Sequence, residues 1–470
     1  MIAIPIMTAY LSPGEYGLMA INTAIAALAI QCSNFGLINY SERVTFKFSE
    51  KKLFPPVFGM TVITGVLISF IGCILISLFP SFWNVLFLNK IRPPVPWFYL
   101  IPIWFAFFQS ISNYFYYYLI DTKNGRFYFF VNFIRALFTS LLPVGGLIFL
   151  KFGILEVILS YFFIEVTFAI YSLTRLKRII RIDFRYVRFL KLGFKFGWPY
   201  FPFGFTGWIV QQIDKLFLGF YQGASVLGMY YIAVSFSGVY SILSQSMNYA
   251  FSPVMMTHLD RDKSFEEARK RMNDAVTIYL LGLQFFGLAV ALFSREIICI
   301  FTSSGFHDAY FVVPIILASL VIRDMNVTLN SYYLMNKNKT LFYNTVSSVQ
   351  AVVVLLLNYL MVPKYGAYGS AIAILASNLA IYTISRTYVS SLRGNQYSHY
   401  PIFAGLFLFS LNYIIVMELT KSLSVWVSIP IKLLELSVVL ALLIAYYHRF
   451  PVFGEIRARF LKVPKFKTSY

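Results

Sequence analysis

The chain has 470 residues, of which 59% are hydrophobic and 19% aromatic, while only 12% are charged. A water-soluble protein carries about twice that charged fraction, so the composition excludes a soluble protein. The formal charge of +20 would suggest a nucleic-acid partner in a soluble chain, but in a multi-pass membrane protein basic cytoplasmic loops explain it. The three cysteines and four histidines form no metal-ligand or disulfide pattern. We therefore expect no metal, no cofactor and no nucleic acid.

Apolar runs bounded by Pro, Gly or charge predict thirteen transmembrane helices, preceded by a partial one at residues 1–11. The thirteen spans are 17–38, 55–79, 97–119, 127–150, 153–173, 193–220, 226–250, 275–301, 308–335, 341–361, 367–389, 401–419 and 427–447. The predicted fold class is therefore all-α integral membrane, with about 14 transmembrane helices.

Basic residues favour one side of this arrangement. Alternate loops carry 29 Lys and Arg on one side and 6 on the other, and the remaining 4 of 39 lie inside spans. The positive-inside rule places the richer side, with both chain termini, in the cytoplasm. The longest outer loop, about 80–96, is too short for a catalytic domain, which counts against a membrane-embedded polysaccharide polymerase or ligase.

An internal repeat gives the domain plan. Residues 10–21 align without gaps with 221–232, matching Gly17 with Gly228 at an offset of 211. LKFG at 150–153 aligns with PKYG 213 residues later. Two matches at nearly one offset indicate a duplication of six spans. Because six is even, the halves share one orientation and are related by a pseudo-two-fold axis along the membrane normal.

We therefore expect two six-helix lobes facing a central cavity, followed by a C-terminal helix pair. The predicted parts are an N-terminal lobe (1–175), a basic cytoplasmic linker (176–192), a C-terminal lobe (193–390), a helix pair (401–447) and a basic cytoplasmic tail (448–470). The span at 193–220 should have a partner that starts about 18 residues before Met1. The repeat thus predicts a truncated first helix, for which a misassigned start codon is the simplest explanation.

Two segments carry a family resemblance. PIMTAYLSPGEYGLMA resembles the first loop of bacterial polysaccharide repeat-unit flippases, and FGWPYFPFGFTGWIVQQIDKLFLGFYQGASVLGMYYIAVSF resembles the start of their second half. The similarity spans about residues 1–380 and points to the polysaccharide transport branch of the multidrug/oligosaccharidyl-lipid/polysaccharide exporter superfamily, which includes O-antigen flippases. It implies a transporter and not an enzyme. The implied activity moves an undecaprenyl-pyrophosphate-linked oligosaccharide repeat unit from the cytoplasmic to the outer leaflet by alternating access, for O-antigen, capsule or exopolysaccharide.

The resemblance also implies a bacterial inner membrane location and membrane lipid as a partner. A polysaccharide polymerase and glycosyltransferases are candidate protein partners. Since the sequence holds no Walker loop, the energy for transport must come from the substrate gradient or from an ion gradient. The candidate coupling ions are H+ and Na+. One alternative is a cation-coupled multidrug exporter of the same superfamily, which should hold carboxylates rather than arginines in its cavity. A membrane-embedded polymerase or ligase is the second alternative.

A substrate with a pyrophosphate needs cationic and hydrogen-bonding groups inside the membrane. Arg323 is the deepest charged residue of the span at 308–335. Ser319, Asn326 and Asn330 lie at i−4, i+3 and i+7 from it, so they form one polar stripe with it on a helix face. We expect this polar stripe to line the cavity. A hydrogen-bonded seam between helices is the alternative.

Further cationic candidates lie outside this stripe. Arg135, eight residues into its span, fits a cavity role or snorkelling to the cytoplasmic surface. Arg43 fits a first contact with the pyrophosphate or, more simply, a positive-inside anchor. Lys215 and Gln211 share a helix face with Trp208, a combination suited to a sugar, and structural pairing across helices is the alternative.

Two carboxylates are candidate coupling sites. Glu165 lies near the middle of its span, where a lone carboxylate can take up a proton. The alternative is that it neutralises Arg135 or Arg323. Asp214 precedes Lys215, and because neighbouring helical side chains point about 100° apart, the two should find different partners.

Overall fold

A computed structural model describes residues 3–48, 53–78, 91, 93–198, 200–259, 265–334, 340–393 and 400–449. All regular structure in these residues is helical, which confirms the predicted all-α membrane fold. The α-helices are α1 (Ala3–Tyr10), α2 (Pro13–Asn34), α3 (Leu37–Phe48), α4 (Phe54–Ser77), α5 (Leu100–Asp121), α6 (Gly125–Phe149), α7 (Ile154–Leu176), α8 (Arg188–Gly197), α9 (Tyr200–Gln222), α10 (Ala224–Leu259), α11 (Phe265–Phe301), α12 (Val313–Leu334), α13 (Thr340–Arg393), α14 (Tyr400–Thr420) and α15 (Val425–Tyr447). Two 3₁₀ segments lie at Phe184–Tyr186 and Ser304–Phe311.

In the described part of the chain, nine helical segments are long and apolar enough to cross a membrane, or ten if the bent pair Ser304–Phe311 and Val313–Leu329 is one span. Helices α5 and α9, of 22 and 23 residues, are less apolar but also exceed the hydrocarbon thickness of about 30 Å. The apolar part of α13 has 44 residues, about twice that thickness, and breaks at Gly366 (φ 53°, ψ −129°). Counted as two spans, α13 brings the described total to thirteen.

The boundaries of the first full span differ from the prediction of 17–38. Helix α2 begins at Pro13, because Ser12 and Glu15 form a reciprocal capping box that satisfies the first backbone N–H groups. It ends at Asn34, where Phe35 adopts left-handed backbone angles (φ 42°, ψ 34°). The capping box contributes about 1 kcal/mol to helix stability and fixes where the span starts.

Two other predicted boundaries are wrong. The span predicted at 193–220 begins at Tyr200, because residues 193–197 belong to the separate short helix α8. The span predicted at 308–335 becomes an α-helix only at Val313, after a 44° bend. In both cases an apolar run continues through a change of helix direction, so hydropathy alone does not mark the break.

Contacts divide the chain into two compact units. Unit 1 comprises Met1–Ile232, Phe301–Phe306 and Ser347–Ala373, and unit 2 comprises Ala233–Ile300, His307–Val346 and Ile374–Tyr470. In unit 1, α5 packs against α2, α4 and α7, and the buried aromatic cluster includes Phe58, Tyr114 and Phe115. In unit 2, Gln284 of α11 donates to the carbonyl of Ile402 in α14 at 3.0 Å. The predicted division into lobes stays a prediction.

Both repeat matches fall at helix starts. Helix α2 begins at Pro13 and α10 at Ala224, which are separated by the repeat offset of 211 residues. Helix α7 begins directly after Gly153, and the residue matched to this glycine is Gly366, where the second half of α13 begins. The positions at which these helices begin therefore repeat at the same offset as the sequence.

The starts of α2 and α10 also touch, within unit 1. A Cβ added to Gly17 would lie 2.0 Å from the carbonyl oxygen of Ala224, and one added to Gly228 would lie 1.8 Å from that of Pro13. The repeat pairs Gly17 with Gly228 and Pro13 with Ala224. The two contacts are therefore equivalent, as expected when a local two-fold axis relates the starts of α2 and α10.

Candidate functional site

Charged side chains inside apolar helices are costly unless they are paired, so they mark candidate sites in a membrane protein. Among the described residues, the buried charged side chains fall into four such groups. They are centred on Arg135 with Glu165, Asp214 with Lys215, Arg323 with Asp324, and Glu296 with Lys432.

Arg135 and Glu165 join α6 to α7 in unit 1. Nη2 of Arg135 donates to Oε2 of Glu165 at 2.6 Å, and the guanidinium lies 5.6 Å from the ring centroid of Tyr116. Glu165 is therefore not a lone carboxylate. Its position fits the alternative expectation, that it neutralises Arg135. Its second oxygen, Oε1, is buried without a hydrogen-bond partner among the described residues.

Asp214 and Lys215 find different partners, as predicted. Nζ of Lys215 donates to the carbonyl of Gln211 at 3.3 Å and to the side-chain oxygen of Gln212, both one turn earlier in α9. Oδ2 of Asp214 accepts a hydrogen bond of 2.8 Å from the hydroxyl of Tyr230 in α10. Both charged side chains are buried, whereas the side chain of Gln211 is exposed.

Arg323 does not stand alone in its helix either. Its Nη2 lies 3.1 Å from Oδ1 of the neighbouring Asp324. Oδ2 of Asp324 accepts from the hydroxyls of Tyr240 at 2.9 Å and Ser244 at 2.6 Å, both on α10. Asp324 is not among the predicted site residues, although a carboxylate next to an arginine inside a span is a visible signal in the sequence.

The polar stripe around Arg323 divides in two. Asn378 of α13 donates to the hydroxyl of Ser319 at 2.8 Å, and Asn326 donates to the carbonyl of Asn378 at 3.2 Å. These buried groups form a hydrogen-bonded seam between α12 and α13. Arg323, ten residues after the start of α12, remains the partly exposed member of the stripe. The side chain of Asn330 lies outside the described residues.

Arg43 lies on the short helix α3. Its guanidinium is exposed and stands 4.6 Å from the ring centroid of Phe196 in α8, a cation–π geometry.

The pair of Glu296 and Lys432 was also missed. Lys432 is completely buried and donates to both oxygens of Glu296, at 2.7 and 2.8 Å, and to the carbonyl of Leu292 at 2.7 Å. The hydroxyl of Ser428 donates to the same carboxylate at 2.6 Å. All three ammonium hydrogens have acceptors, so the pair fastens α15 to α11 within unit 2.

The two arginine pairs share one feature. In each, the carboxylate is buried and the guanidinium is the exposed member. The exposed fractions are 19% for Arg135 against 1% for Glu165, and 40% for Arg323 against 5% for Asp324. A guanidinium has five N–H donors in a planar fork that suits phosphate or carboxylate groups. The accessible edge of each pair therefore suits an anion. No cluster of His, Cys, Asp or Glu suited to a metal occurs among the described residues.

Apolar spans with paired charges inside them define the class of multi-pass helical membrane proteins. The family described as "Polysaccharide biosynthesis protein" matches residues 6–311, well over half of the chain, and the chain belongs to this family.

The fold is similar to that of the lipid II flippase MurJ in an inward closed conformation, with a TM-score of 0.75 and 14% identity, over 95% of this chain and 96% of that one. It is also similar to the MATE transporter VcmN of Vibrio cholerae, with a TM-score of 0.51 and 13% identity, over 84% of this chain and 97% of that one. No curated protein sequence matches the chain. The family match and these folds confirm the resemblance to the multidrug/oligosaccharidyl-lipid/polysaccharide exporter superfamily.

Proposed function

We propose that the protein is a flippase that carries an undecaprenyl-pyrophosphate-linked oligosaccharide repeat unit from the cytoplasmic to the outer leaflet of a bacterial inner membrane, by alternating access. The product would feed the synthesis of O-antigen, capsule or exopolysaccharide. The family match to polysaccharide biosynthesis and the shared fold with a lipid II flippase support this proposal.

The observation that carries the proposal is the exposed guanidinium of Arg323 above a buried Asp324. A pyrophosphate-linked headgroup is anionic, and an arginine fork binds phosphate oxygens through two parallel hydrogen bonds. A multidrug exporter for cations would benefit from the opposite arrangement, with the carboxylate accessible. Arg323 and Arg135 are therefore the proposed pyrophosphate ligands.

The remaining site residues have smaller proposed roles. Arg43, at the cytoplasmic surface, would meet the headgroup before it enters. The exposed amide of Gln211 and the amide of Asn330 would bind sugar hydroxyls, and Asn326 would hold α12 against α13 beside them. The buried Lys215 would hold Gln211 in position through the backbone carbonyl of Gln211. A polymerase and glycosyltransferases of the same glycan remain the proposed protein partners.

Coupling to H+ or Na+ would use a carboxylate in unit 1. Glu165 is the first candidate, because its buried Oε1 has an unused hydrogen-bonding capacity among the described residues. Asp214 is the second, held by the hydroxyl of Tyr230.

The test is genetic and uses the intact chain. Deletion should deplete surface glycan and leave lipid-linked repeat units on the cytoplasmic leaflet, where added glycosidase cannot reach them in intact spheroplasts. Normal surface glycan without accumulation would refute the flippase proposal. Loss of drug resistance in place of glycan would favour the multidrug exporter.

The variant Arg323→Ala should give the deletion phenotype at normal protein level, and Arg323→Lys should retain only part of the export because it loses the fork. Lys421→Ala is the matched control, since that exposed lysine pairs with Glu418 at the surface. Full export by Arg323→Ala would remove Arg323 from the substrate site.

A further inference from the structure

The segment between α7 and α9 exposes both cationic and large apolar side chains. Its exposed cations are Lys177, Arg178, Arg181, Arg185, Arg188, Lys191 and Lys195. Its exposed apolar residues include Phe184 (76%), Trp198 (60%), Ile182 (59%) and Leu192 (56%). An exposed apolar patch of this kind marks a binding surface.

Contacts with α3 fix which side of α8 is free. The hydroxyl of Tyr40 donates to the carbonyl of Phe189 at 3.2 Å, and a Cβ on Gly193 would lie 2.9 Å from the ring of Tyr40. Phe196 lies on the same side, under Arg43. Helix α8 is therefore docked on α3 through one face and cannot turn that face outward.

The outer face of α8 has two stripes. Arg188, Lys191 and Lys195 follow one another at spacings of three and four residues and form a basic stripe. Val187, Phe194 and Trp198 form an exposed apolar stripe beside it, at spacings of seven and four. Apolar and basic stripes side by side are typical of a helix that lies in the membrane interface.

The charge of this segment is unbalanced. Asp183 is the only acidic residue between 175 and 198, and it pairs with Arg185 at 2.7 Å. Arg188, Lys191 and Lys195 form no salt bridge within the described part of the chain. Three cations therefore remain available to an anionic partner.

We propose that this surface, from Arg181 to Trp198, binds anionic phospholipid headgroups. The lipids are those of the leaflet in which α7 ends and α9 begins. The segment is tied to the membrane at both ends, because α7 ends at Leu176 and α9 begins at Tyr200. Val187, Phe194 and Trp198 would enter the boundary between headgroups and acyl chains while the basic stripe binds lipid phosphates. The proposal does not depend on which substrate the protein carries.

The test uses the full chain in phosphatidylcholine vesicles that contain brominated phosphatidylglycerol, whose bromine quenches nearby tryptophan. The contribution of Trp198 is the difference between the native chain and Trp198→Phe. We expect brominated phosphatidylglycerol to quench Trp198 more than brominated phosphatidylcholine does at equal mole fraction. In Lys191→Gln/Lys195→Gln this preference should fall at least about fivefold.

Lys123→Gln/Arg126→Gln is the matched control, because it removes two exposed cations from another loop of the same predicted side. It should leave the preference unchanged. An equal loss in the control, or an unchanged preference in the Lys191 and Lys195 variant, would overturn the proposal. A salt titration of the native chain tests the proposal without any variant that could misfold. The preference for phosphatidylglycerol should weaken from about 0.05 to 0.5 M NaCl, because salt screens exposed charges. A preference that does not depend on salt would also overturn the proposal.

Discussion

Gly17 and Gly228 occupy equivalent positions where α2 crosses α10, and neither position has room for a side chain. Each glycine lies against the backbone of the first turn of the opposite helix. Small residues at a crossing let two membrane helices approach backbone to backbone, which replaces lipid contacts with close packing. The crossing thus explains why these two glycines are the matched residues of a repeat that is otherwise weak in sequence.

Substitution at this crossing should destabilise the protein. Gly17→Ala and Gly228→Ala would each force a Cβ into a carbonyl group, and overpacking of this kind costs about 1–3 kcal/mol. Gly238→Ala is the control on the same helix α10, because a Cβ there meets nothing within 4 Å. Thermal unfolding in detergent should show a lower Tm for the first two variants and an unchanged or slightly higher Tm for the third. Equal Tm values for Gly228→Ala and Gly238→Ala would contradict the packing geometry.

The buried ion pair that joins α15 to α11 should be sensitive to loss of one partner. Lys432→Met leaves the carboxylate of Glu296 buried and uncompensated, which costs about 3–5 kcal/mol. The double variant Glu296→Leu/Lys432→Met removes both charges and should recover most of the lost Tm. Lys421→Met, which breaks only an exposed pair, should change the stability by about 1 kcal/mol or less. A double variant no more stable than Lys432→Met would show that the uncompensated carboxylate of Glu296 is not the cause of the loss.

A double-mutant cycle separates coupling from structure at Arg135 and Glu165. If the pair is structural, Arg135→Gln and Glu165→Gln should each lower Tm, and the double variant should recover part of the loss. If Glu165 also couples export to an ion, Glu165→Gln should in addition abolish the dependence of export on pH or Na+, and the double variant should not restore it. Retained ion dependence in Glu165→Gln would leave Asp214 as the remaining coupling candidate.

Stability should depend on pH through Asp121, at the end of α5 beyond the predicted span. Burial raises the pKa of this carboxyl to about 6, and its Oδ2 has no hydrogen-bond partner among the described residues. A raised pKa means that the folded protein holds this proton more tightly than the unfolded chain does. The resulting stabilisation is complete below about pH 4 and is lost as the pH rises through about 6.

Asp121→Asn should therefore raise Tm at pH 7.5 and flatten the fall of Tm between about pH 4 and 6. Asp183→Asn is the control: the hydrogen bond from Arg185 lowers the pKa of the Asp183 carboxyl, so that group contributes no fall of Tm with rising pH. If the Asp121→Asn variant keeps the full pH dependence of Tm, that dependence belongs to another group. Glu42 is then the next candidate, because burial and the charge of Asp121 raise the pKa of Glu42.

Hydropathy predicted the spans well, because a membrane helix needs a long apolar run and such runs are local in sequence. The break at Gly366 could be predicted because it lies between two apolar runs. The change of helix direction before Tyr200 could not be predicted, because the apolar stripe of α8 continues the apolar run through the turn.

The partners of the buried charges were harder to predict. The hydroxyls that bind Asp324 come from Tyr240 and Ser244, 84 and 80 residues earlier, and Lys432 reaches a carboxylate 136 residues away. Spacing along one helix reveals which residues share a face but not what the face meets. The division of the stripe around Arg323 between a seam and an exposed guanidinium therefore required the tertiary packing.

The crossing of α2 and α10 also bears on the order of assembly during synthesis. Helix α2 leaves the ribosome about 200 residues before the residues that cover its glycine face, an interval of about 10–40 s at ordinary elongation rates. During that time the groove at Gly17 is lined only by lipid or by the insertion machinery. Helix α2 therefore completes this part of its packing only after the start of α10, including Gly228, has been synthesised.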